Sequence, residues 1–344
     1  MHNVSFDLYK FIFAIFIVIT HSMGRYAGYP FIRIAVPMFF FMSGYLYFDR
    51  IKKSNNINEF QYYWHYTKRI LLLYLTWFIV LLPHLLFTRG WFSNGYIRGL
   101  GILTVRFILN STFTGSWYLS AVIIGIGILH FITKKIPDIL VLTSCFIIYS
   151  LCCLASNYRG LFNEEGLVFF CIYKFPGTFY NSFPVGLIWL LIGKILANNH
   201  FSTMIYKKRL LLGEVAISTV LLLAEHIMIG WLKCSVDNDC YFMLVPLVFF
   251  IGALAVLYDF PGILLKYPPS FYKKLRNAST VVFCSHGAFL ALCKWAWVSL
   301  GINAPRPVVG MMSCAMACIL GILTYSLIWF VSSKAWGQWA KVFY

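Results

Sequence analysis

Long apolar runs, each bounded by polar or charged residues, dominate the pattern of this chain. A helix needs about 20 apolar residues to cross the hydrocarbon core of a bilayer, and irregular backbone is excluded there. Ten runs approach this length, although counts of nine or eleven stay open because several runs are short. The predicted membrane-spanning helices are 6–26, 31–49, 70–88, 116–133, 139–156, 181–198, 210–232, 242–258, 278–300 and 309–331.

Composition agrees with this pattern. Of the 344 residues, 60% are hydrophobic and only 11% are charged, whereas a soluble domain has about 25% charged residues. A soluble enzyme, a disordered chain and a small disulfide-linked secreted module are therefore excluded. No internal repeat interrupts the pattern, so we expect residues 1–344 to form one all-α membrane domain. The first apolar run lacks a small-residue cleavage site, so a removable signal peptide is not expected.

The formal net charge is +17, which in a soluble protein would suggest a nucleic-acid partner. Here the Lys and Arg residues lie mostly between apolar runs, where they orient the chain in the bilayer. We therefore expect a lipid bilayer and no nucleic acid as partner. More of these cations fall on the side of the N-terminus, which predicts that both termini are cytoplasmic.

Two long loops and the cysteines add further expectations. Residues 89–115 mix arginines with aromatic residues, which indicates an interfacial segment, and residues 157–180 include Glu164 and Glu165. The ten cysteines show no metal-ligand spacing, so no metal is expected. Cys234 and Cys240 flank a short loop and could form a disulfide in an oxidising exterior, but free thiols are the favoured alternative.

The first predicted helix carries the most distinctive polar pattern. Lys10 and His21 are eleven residues apart, so they share one face and are separated by about 16 Å along the helix axis. Asp7, one turn before Lys10, lies on the same face and can pair with it. A membrane histidine usually faces a cavity or the bundle interior. Burial favours the neutral imidazole, which is the form that a general base requires. A packing role for His21 is the alternative.

The second predicted helix contains Val-Pro-Met-Phe-Phe-Phe-Met-Ser-Gly-Tyr. Proline frees a backbone carbonyl, and a Ser-Gly pair permits close helix approach beside a hydroxyl group. Helix packing alone explains these features, so they are weak evidence when taken by themselves. The motif residues are Pro37, Phe40, Ser43, Gly44 and Tyr45.

Taken together, the two helices resemble the acyltransferase-3 family of bacterial membrane acyltransferases. The resemblance rests on a basic residue separated by ten intervening positions from a histidine on helix one, followed by a Phe-rich Ser-Gly-Tyr motif on helix two. It implies about ten transmembrane helices in the bacterial cell membrane, with His21 and Lys10 as the catalytic residues. It also implies transfer of an acyl group, with acetyl expected, from acyl-CoA as co-substrate to an extracytoplasmic hydroxyl of a glycan.

This sequence departs from the family pattern at two positions. The family more often has Arg where this chain has Lys10, which keeps the charge but removes bidentate pairing. Many members carry Arg-x-x-Arg at the start of helix three, where this chain has Arg69 and then Leu72. The second departure weakens the expectation of acyl-CoA binding more than that of a catalytic histidine.

The same motifs also resemble the membrane domain of membrane-bound serine racemases of vancomycin resistance. This resemblance implies an alternative function, transport or supply of a small polar solute such as L-serine. It leaves open whether the chain is a stand-alone relative or the membrane half of a protein with a soluble enzymatic partner domain. In a transporter, Lys10 and His21 would line a solute path.

Other polar residues are candidates of lesser weight. Basic residues around the start of helix three are predicted to bind the phosphates of acyl-CoA through charge complementarity: Arg50, Lys52, Lys53, Lys68 and Arg69. Trp117 opens the fourth run and is either a family motif or an interfacial anchor. Glu225 and His286 lie inside predicted spans, where polar groups require a partner, and each has a functional and a structural interpretation.

Overall fold

A computed structural model describes residues 4–24, 30–54, 58–93, 95–161, 166–198, 208–235, 239–258, 264, 266–302 and 305–344. These residues form helices and turns, and no strand occurs among them. The α-helices are α1 Val4–Met23, α2 Ala35–Lys53, α3 Glu59–Arg89, α4 Tyr96–Leu109, α5 Trp117–Ile132, α6 Asp138–Ala155, α7 Gly166–Phe169, α8 Phe183–Asn198, α9 Lys208–Leu232, α10 Leu244–Leu257, α11 Pro269–Ser299 and α12 Arg306–Ser332.

Each of the ten predicted runs coincides with one of these helices, so the all-α prediction is confirmed. Within the described ranges, seven helices are long and apolar enough to cross a membrane, which makes this a multi-pass membrane protein, and α5, α8 and α10 are shorter apolar helices. A count of ten crossings and the cytoplasmic position of the termini stay predictions. The predicted starts of α3 and α11 are late by 11 and 9 residues, because their first turns are polar and hydropathy does not detect them.

Helix α8 is the centre of the bundle, and nearly all its side chains are buried. It packs against α2, α5, α6 and α10. A Cβ added to Gly44 of α2 would collide with the backbone of Leu190, and one added to Gly193 of α8 would collide with the backbone of α2. The two glycines therefore let the α2 and α8 backbones touch, which is the small-residue packing expected between membrane helices.

Helix α1 packs against a second group formed by α11 and α12. Val18, Val282 and Ala317 form a small buried cluster where the three helices meet. The chain then returns to α3 through a 3₁₀ segment, Ala335–Phe343, in which the Phe343 carbonyl accepts a hydrogen bond from Nε1 of Trp77 at 3.2 Å. This C-terminal contact encloses the space between α1, α3 and α11.

The long loops contain short helical elements. The predicted interfacial segment holds α4, and the segment after α6 holds the 3₁₀ turns Arg159–Leu161 and Phe179–Asn181. Glu164 and Glu165 lie outside the described residues. Cys234 and Cys240, like the other eight cysteines, form no disulfide in the structure, and the redox state of this pair stays a prediction.

Candidate active site in two cavities along the first helix

A cavity of about 620 Å³ lies beside the first half of α1. Its wall carries an amine from α1, guanidinium groups from α3 and α11, and an amine from the C-terminal segment. We call it the lysine cavity, and its cations are Lys10, Arg69, Arg276 and Lys341. No acidic residue belongs to its described lining. An anion with several charges would find complementary charge here.

A second cavity, of about 290 Å³, lies beside the last turn of α1, and we call it the histidine cavity. Loops and helix ends supply its polar lining, which comprises Thr20, His21, Arg33, Arg89, Asn110, Ser111, Thr114, Tyr180, Asn181 and Asp239. Arg33 forms an ion pair with Asp239 across this wall. Hydroxyl and amide groups, the Arg33–Asp239 ion pair and the guanidinium group of Arg89 therefore line the cavity with His21, a lining suited to a polar molecule.

Three aromatic rings separate the two cavities. Phe39, Tyr118 and Phe283 all line the lysine cavity, and their ring centroids lie 5.6–5.8 Å apart. A Cβ added to Gly115, which lines the histidine cavity, would lie 3.3 Å from Cζ of Phe283. The partition is therefore about one ring thick at Phe283.

The loop before α5 shapes this partition. Oγ of Ser116 accepts hydrogen bonds from the backbone N–H groups of Thr112 (2.9 Å) and Phe113 (3.2 Å), which closes a tight turn. Gly115 has φ +83°, a conformation that residues with a Cβ rarely adopt. A Cβ on Gly287 of α11 would collide with Thr114. The two glycines thus allow the loop to press against α11 beside the cavity.

His21 and His286 form a pair of imidazoles, with ring centroids 5.1 Å apart. His21 is exposed to the cavities that it lines, whereas His286 is fully buried. Nδ1 of His286 lies 2.6 Å from the carbonyl oxygen of Phe283. Because a carbonyl only accepts, this nitrogen carries the proton and Nε2 holds a lone pair. That Nε2 is buried and has no hydrogen-bond partner among the described residues.

The structure does not bring the five predicted phosphate-binding residues together. Only Arg69 lines the lysine cavity. Nζ of Lys52 donates to the carbonyl oxygens of Ala197 and Asn198 at the end of α8, and Nζ of Lys53 pairs with Asp49 at 2.8 Å. Arg50 is exposed at the end of α2, and Lys68 is exposed on α3. Two of these cations thus have partners at the protein surface.

The motif on α2 divides between the cavities. Pro37 and Phe40 line the histidine cavity, where Trp117 lies 5.7 Å from Phe40 between ring centroids. Ser43 lines the lysine cavity, and its Oγ lies 2.7 Å from the hydroxyl of Tyr118. Tyr45 packs edge-on against Phe6 at 5.3 Å. The motif therefore supplies walls for both cavities and, through its glycine, the contact with α8.

Asp7 and Glu225 both stabilise helix packing. Asp7 is buried and forms an ion pair with Arg276 of α11 at 3.5 Å, a partner that the helical spacing did not identify. Glu225 accepts hydrogen bonds from the backbone N–H groups of Phe242 and Met243, both at 2.8 Å, where α10 begins. Burial and the hydrogen bond to Glu225 raise the pKa of Tyr158, so this phenol stays neutral and donates. Glu225 thus caps α10 and lines neither cavity.

Sequence reasoning missed several residues of the site. Arg276 and Lys341 complete the lysine cavity, and Thr114 and Gly115 shape the wall near His286. A signal existed for the loop, since residues 110–116 form a polar stretch between apolar helices. No pattern in the chain predicts that residue 341 lines the same cavity as Lys10, because this placement depends on the tertiary fold. Among the described residues, no cluster of His, Cys, Asp or Glu could hold a metal ion.

Comparison with known proteins gives one match. A family model described as an acyltransferase domain, acyltransferase family 3, matches residues 3–333. No curated protein and no solved structure matches the chain. The resemblance to the membrane domain of serine racemases therefore receives no support from these comparisons. The match covers nearly the whole chain, including the two histidines and, apart from the C-terminal segment with Lys341, the linings of both cavities. This chain therefore belongs to the acyltransferase-3 family of membrane acyltransferases.

Proposed function

We propose that the protein transfers an acyl group from acyl-CoA in the lysine cavity to a hydroxyl group in the histidine cavity. One observation carries this proposal: α1 places Lys10 in a cationic cavity and His21 in a polar one. At Phe283, the partition between the two cavities is about one aromatic ring thick. Since positive charge favours the cytoplasmic side, the lysine cavity opens towards the cytoplasm in this proposal, and the acceptor is extracytoplasmic, such as a cell-envelope glycan.

The lysine cavity suits the donor on chemical grounds. Phosphate groups bind most strongly to Arg and Lys through charge-assisted hydrogen bonds, and the cavity offers four such groups: Lys10, Arg69, Arg276 and Lys341. Leu73, Val122 and the partition rings provide an apolar wall for the thioester arm. The acyl carbon would reach His21 by a displacement of the Phe283 ring. Acetyl is the acyl group that requires the smallest displacement.

The histidines suit the chemical step. A neutral nitrogen of His21 takes the proton from the acceptor hydroxyl as its oxygen forms a bond to the acyl carbon. The C–S bond then breaks, and the imidazolium returns the proton to the thiolate of CoA. Nε2 of His286 holds a lone pair beside this ring and has no hydrogen-bond partner among the described residues. In this proposal it accepts the hydrogen of the other His21 nitrogen once the His21 ring turns towards it. His286 is thus a positioning residue that stabilises the imidazolium.

The test uses purified protein in lipid vesicles, with acetyl-CoA as donor, cell-envelope glycan as acceptor and CoA thiol release as the readout. We expect release by the unaltered protein, and His21→Ala to lower turnover by about 10²- to 10⁴-fold, the usual contribution of a general base. A matched control is His65→Ala, because His65 is an exposed histidine of α3 that lines neither cavity. Undiminished release by His21→Ala, at equal protein content, overturns the catalytic role.

The same vesicles test the alternative of solute transport. Radiolabelled L-serine is supplied outside the vesicles, with and without acetyl-CoA. Serine uptake without acyl-CoA, together with absence of CoA release, would show that the cavities form a solute path and would overturn acyl transfer. CoA release without serine uptake supports the proposal.

A further inference from the structure

A third opening lies on the other side of His21. It is a groove of about 1040 Å³ between the end of α1, the second half of α11 and the start of α12, and we call it the lateral groove. His21 lines both this groove and the histidine cavity. The imidazole of His21 is therefore accessible from the histidine cavity and from the lateral groove. The proposed function uses the histidine cavity and assigns no ligand to the lateral groove.

Two unmatched cations line the lateral groove. Lys294 of α11 and Arg306 of α12 are both exposed. No acidic residue belongs to the described lining of the groove, and neither cation forms an ion pair with a described residue. Cations within a membrane bundle are costly unless they meet an anion or a water-filled path. The charges therefore indicate a negatively charged occupant.

Apolar side chains also line the groove, beside a few polar ones. Leu290, Val298 and Val309 line it, and the neighbouring Trp295 is 68% exposed. An indole hydrogen bond from Nε1 of Trp297 to Oγ of Ser313, at 2.8 Å, holds α11 against α12 at its base. Since a surface this apolar contacts acyl chains in a membrane, the groove admits a molecule sideways from the bilayer.

We infer that the lateral groove binds the phosphate headgroup of an anionic lipid, and that this lipid carries the acceptor hydroxyl. This inference rests on the proposed function and names the class of its acceptor. Lys294 lies eight residues beyond His286 on α11, about 12 Å along the axis. A phosphate held by Lys294 and Arg306 leaves the hydrocarbon chain in the bilayer. The remainder of the headgroup then extends to His21.

The chemical step balances as in the proposed function. The headgroup hydroxyl loses its proton to His21 and forms an ester bond to the acyl carbon. The thioester C–S bond breaks, and the thiolate of CoA receives the proton. The lipid phosphate takes no part in bond changes, because its binding site is one turn or more away from the imidazole. Its role is to hold the acceptor in place.

Lipid retention tests the inference without any donor. The protein is extracted from phosphatidylcholine vesicles that contain a long-chain polyprenyl phosphate, and native mass spectrometry counts the lipid that remains bound. We expect the double variant Lys294→Gln/Arg306→Gln to retain about tenfold less polyprenyl phosphate, which corresponds to about 1.4 kcal/mol. The charge-keeping variant Lys294→Arg/Arg306→Lys should retain most of it. The control Arg98→Gln/Lys233→Gln removes two cations that line none of the cavities.

Three outcomes overturn the inference. The first is equal retention by the double variant and the control, which would show that the groove does not hold the phosphate. The second is displacement of the lipid by inorganic phosphate or glycerol phosphate at similar concentration, which would identify a site for a soluble anion. The third is retention of phosphatidylcholine to the same extent. In each case, His21-dependent release of CoA from acetyl-CoA would leave the proposed function standing.

Discussion

The lysine cavity and the histidine cavity lie along the same helix but recognise molecules in different ways. The lysine cavity has four cations and no acidic residue in its described lining, and it is about twice as large as the histidine cavity. The histidine cavity combines hydroxyl and amide groups with Arg89 and with Arg33, whose charge is paired with Asp239. The lysine cavity therefore selects mainly for negative charge, and the histidine cavity mainly for the positions of polar groups on its ligand.

This difference has a consequence for the effects of substitution. Charge attraction binds ground state and transition state alike, so its loss weakens substrate binding without slowing the chemical step. A base beside the reacting atoms acts only in the transition state, so its loss lowers turnover. We therefore expect variants in the lysine cavity to change the KM for the donor, and variants around His21 to change kcat.

Beyond the substitution of His21 itself, the largest change in kcat is expected for a substitution of His286. His286→Phe keeps a ring in the buried site but removes the lone pair that stabilises the His21 imidazolium. A hydrogen bond to a charged group contributes about 1.5 kcal/mol, so kcat should fall about tenfold. The measurement is steady-state CoA release at varied donor concentration.

Gln provides the matched control at this position, because its amide oxygen can accept a hydrogen bond as Nε2 does. His286→Gln should recover part of the lost kcat. A purely structural role predicts instead that Phe, which is closer in shape, is the milder substitution. An increase in donor KM with unchanged kcat would contradict the assignment of His286 to the chemical step.

Arg69 and Lys341 test the opposite cavity. Arg69→Gln and Lys341→Gln should each raise the KM for acetyl-CoA several-fold, up to about tenfold, because each removes one charge-assisted contact to phosphate. The kcat should change less than about twofold, because the lost contact binds the ground state and the transition state equally. Both increases should shrink at about 1 M salt, where the Debye length falls to about 3 Å. A fall in kcat with unchanged KM would place these residues in the chemistry instead.

The helices of the fold were largely predictable, because the length of each apolar run can be read directly along the sequence. Apolar length identifies every long helix, and only the polar first turns of α3 and α11 escaped it. Spacing on one helix also placed Lys10 and His21 on the same side. The partners of these two residues were not predictable, since Arg276, His286 and Lys341 reach α1 from 250 or more positions away along the chain. The cluster of cations before α3 predicted that Lys52 and Lys53 bind the donor. In the structure, Lys52 instead donates to a carbonyl group at the end of α8, and Lys53 pairs with Asp49.

The smallest change in donor KM is expected for Lys52 and Lys53, and it tests directly whether these two lysines contribute to donor binding. Lys52→Gln and Lys53→Gln remove cations that were predicted to bind the donor together with Arg69, yet they line neither cavity. Lys53 pairs with Asp49 on the surface, where an ion pair contributes at most about 1 kcal/mol. Lys52 bonds the last carbonyl groups of α8, so its loss should lower thermal stability slightly. Donor KM should change less than about twofold, against several-fold for Arg69→Gln in the same assay. Equal increases in donor KM for these three variants would mean that donor binding responds to overall positive charge at this end of the bundle rather than to the lysine cavity.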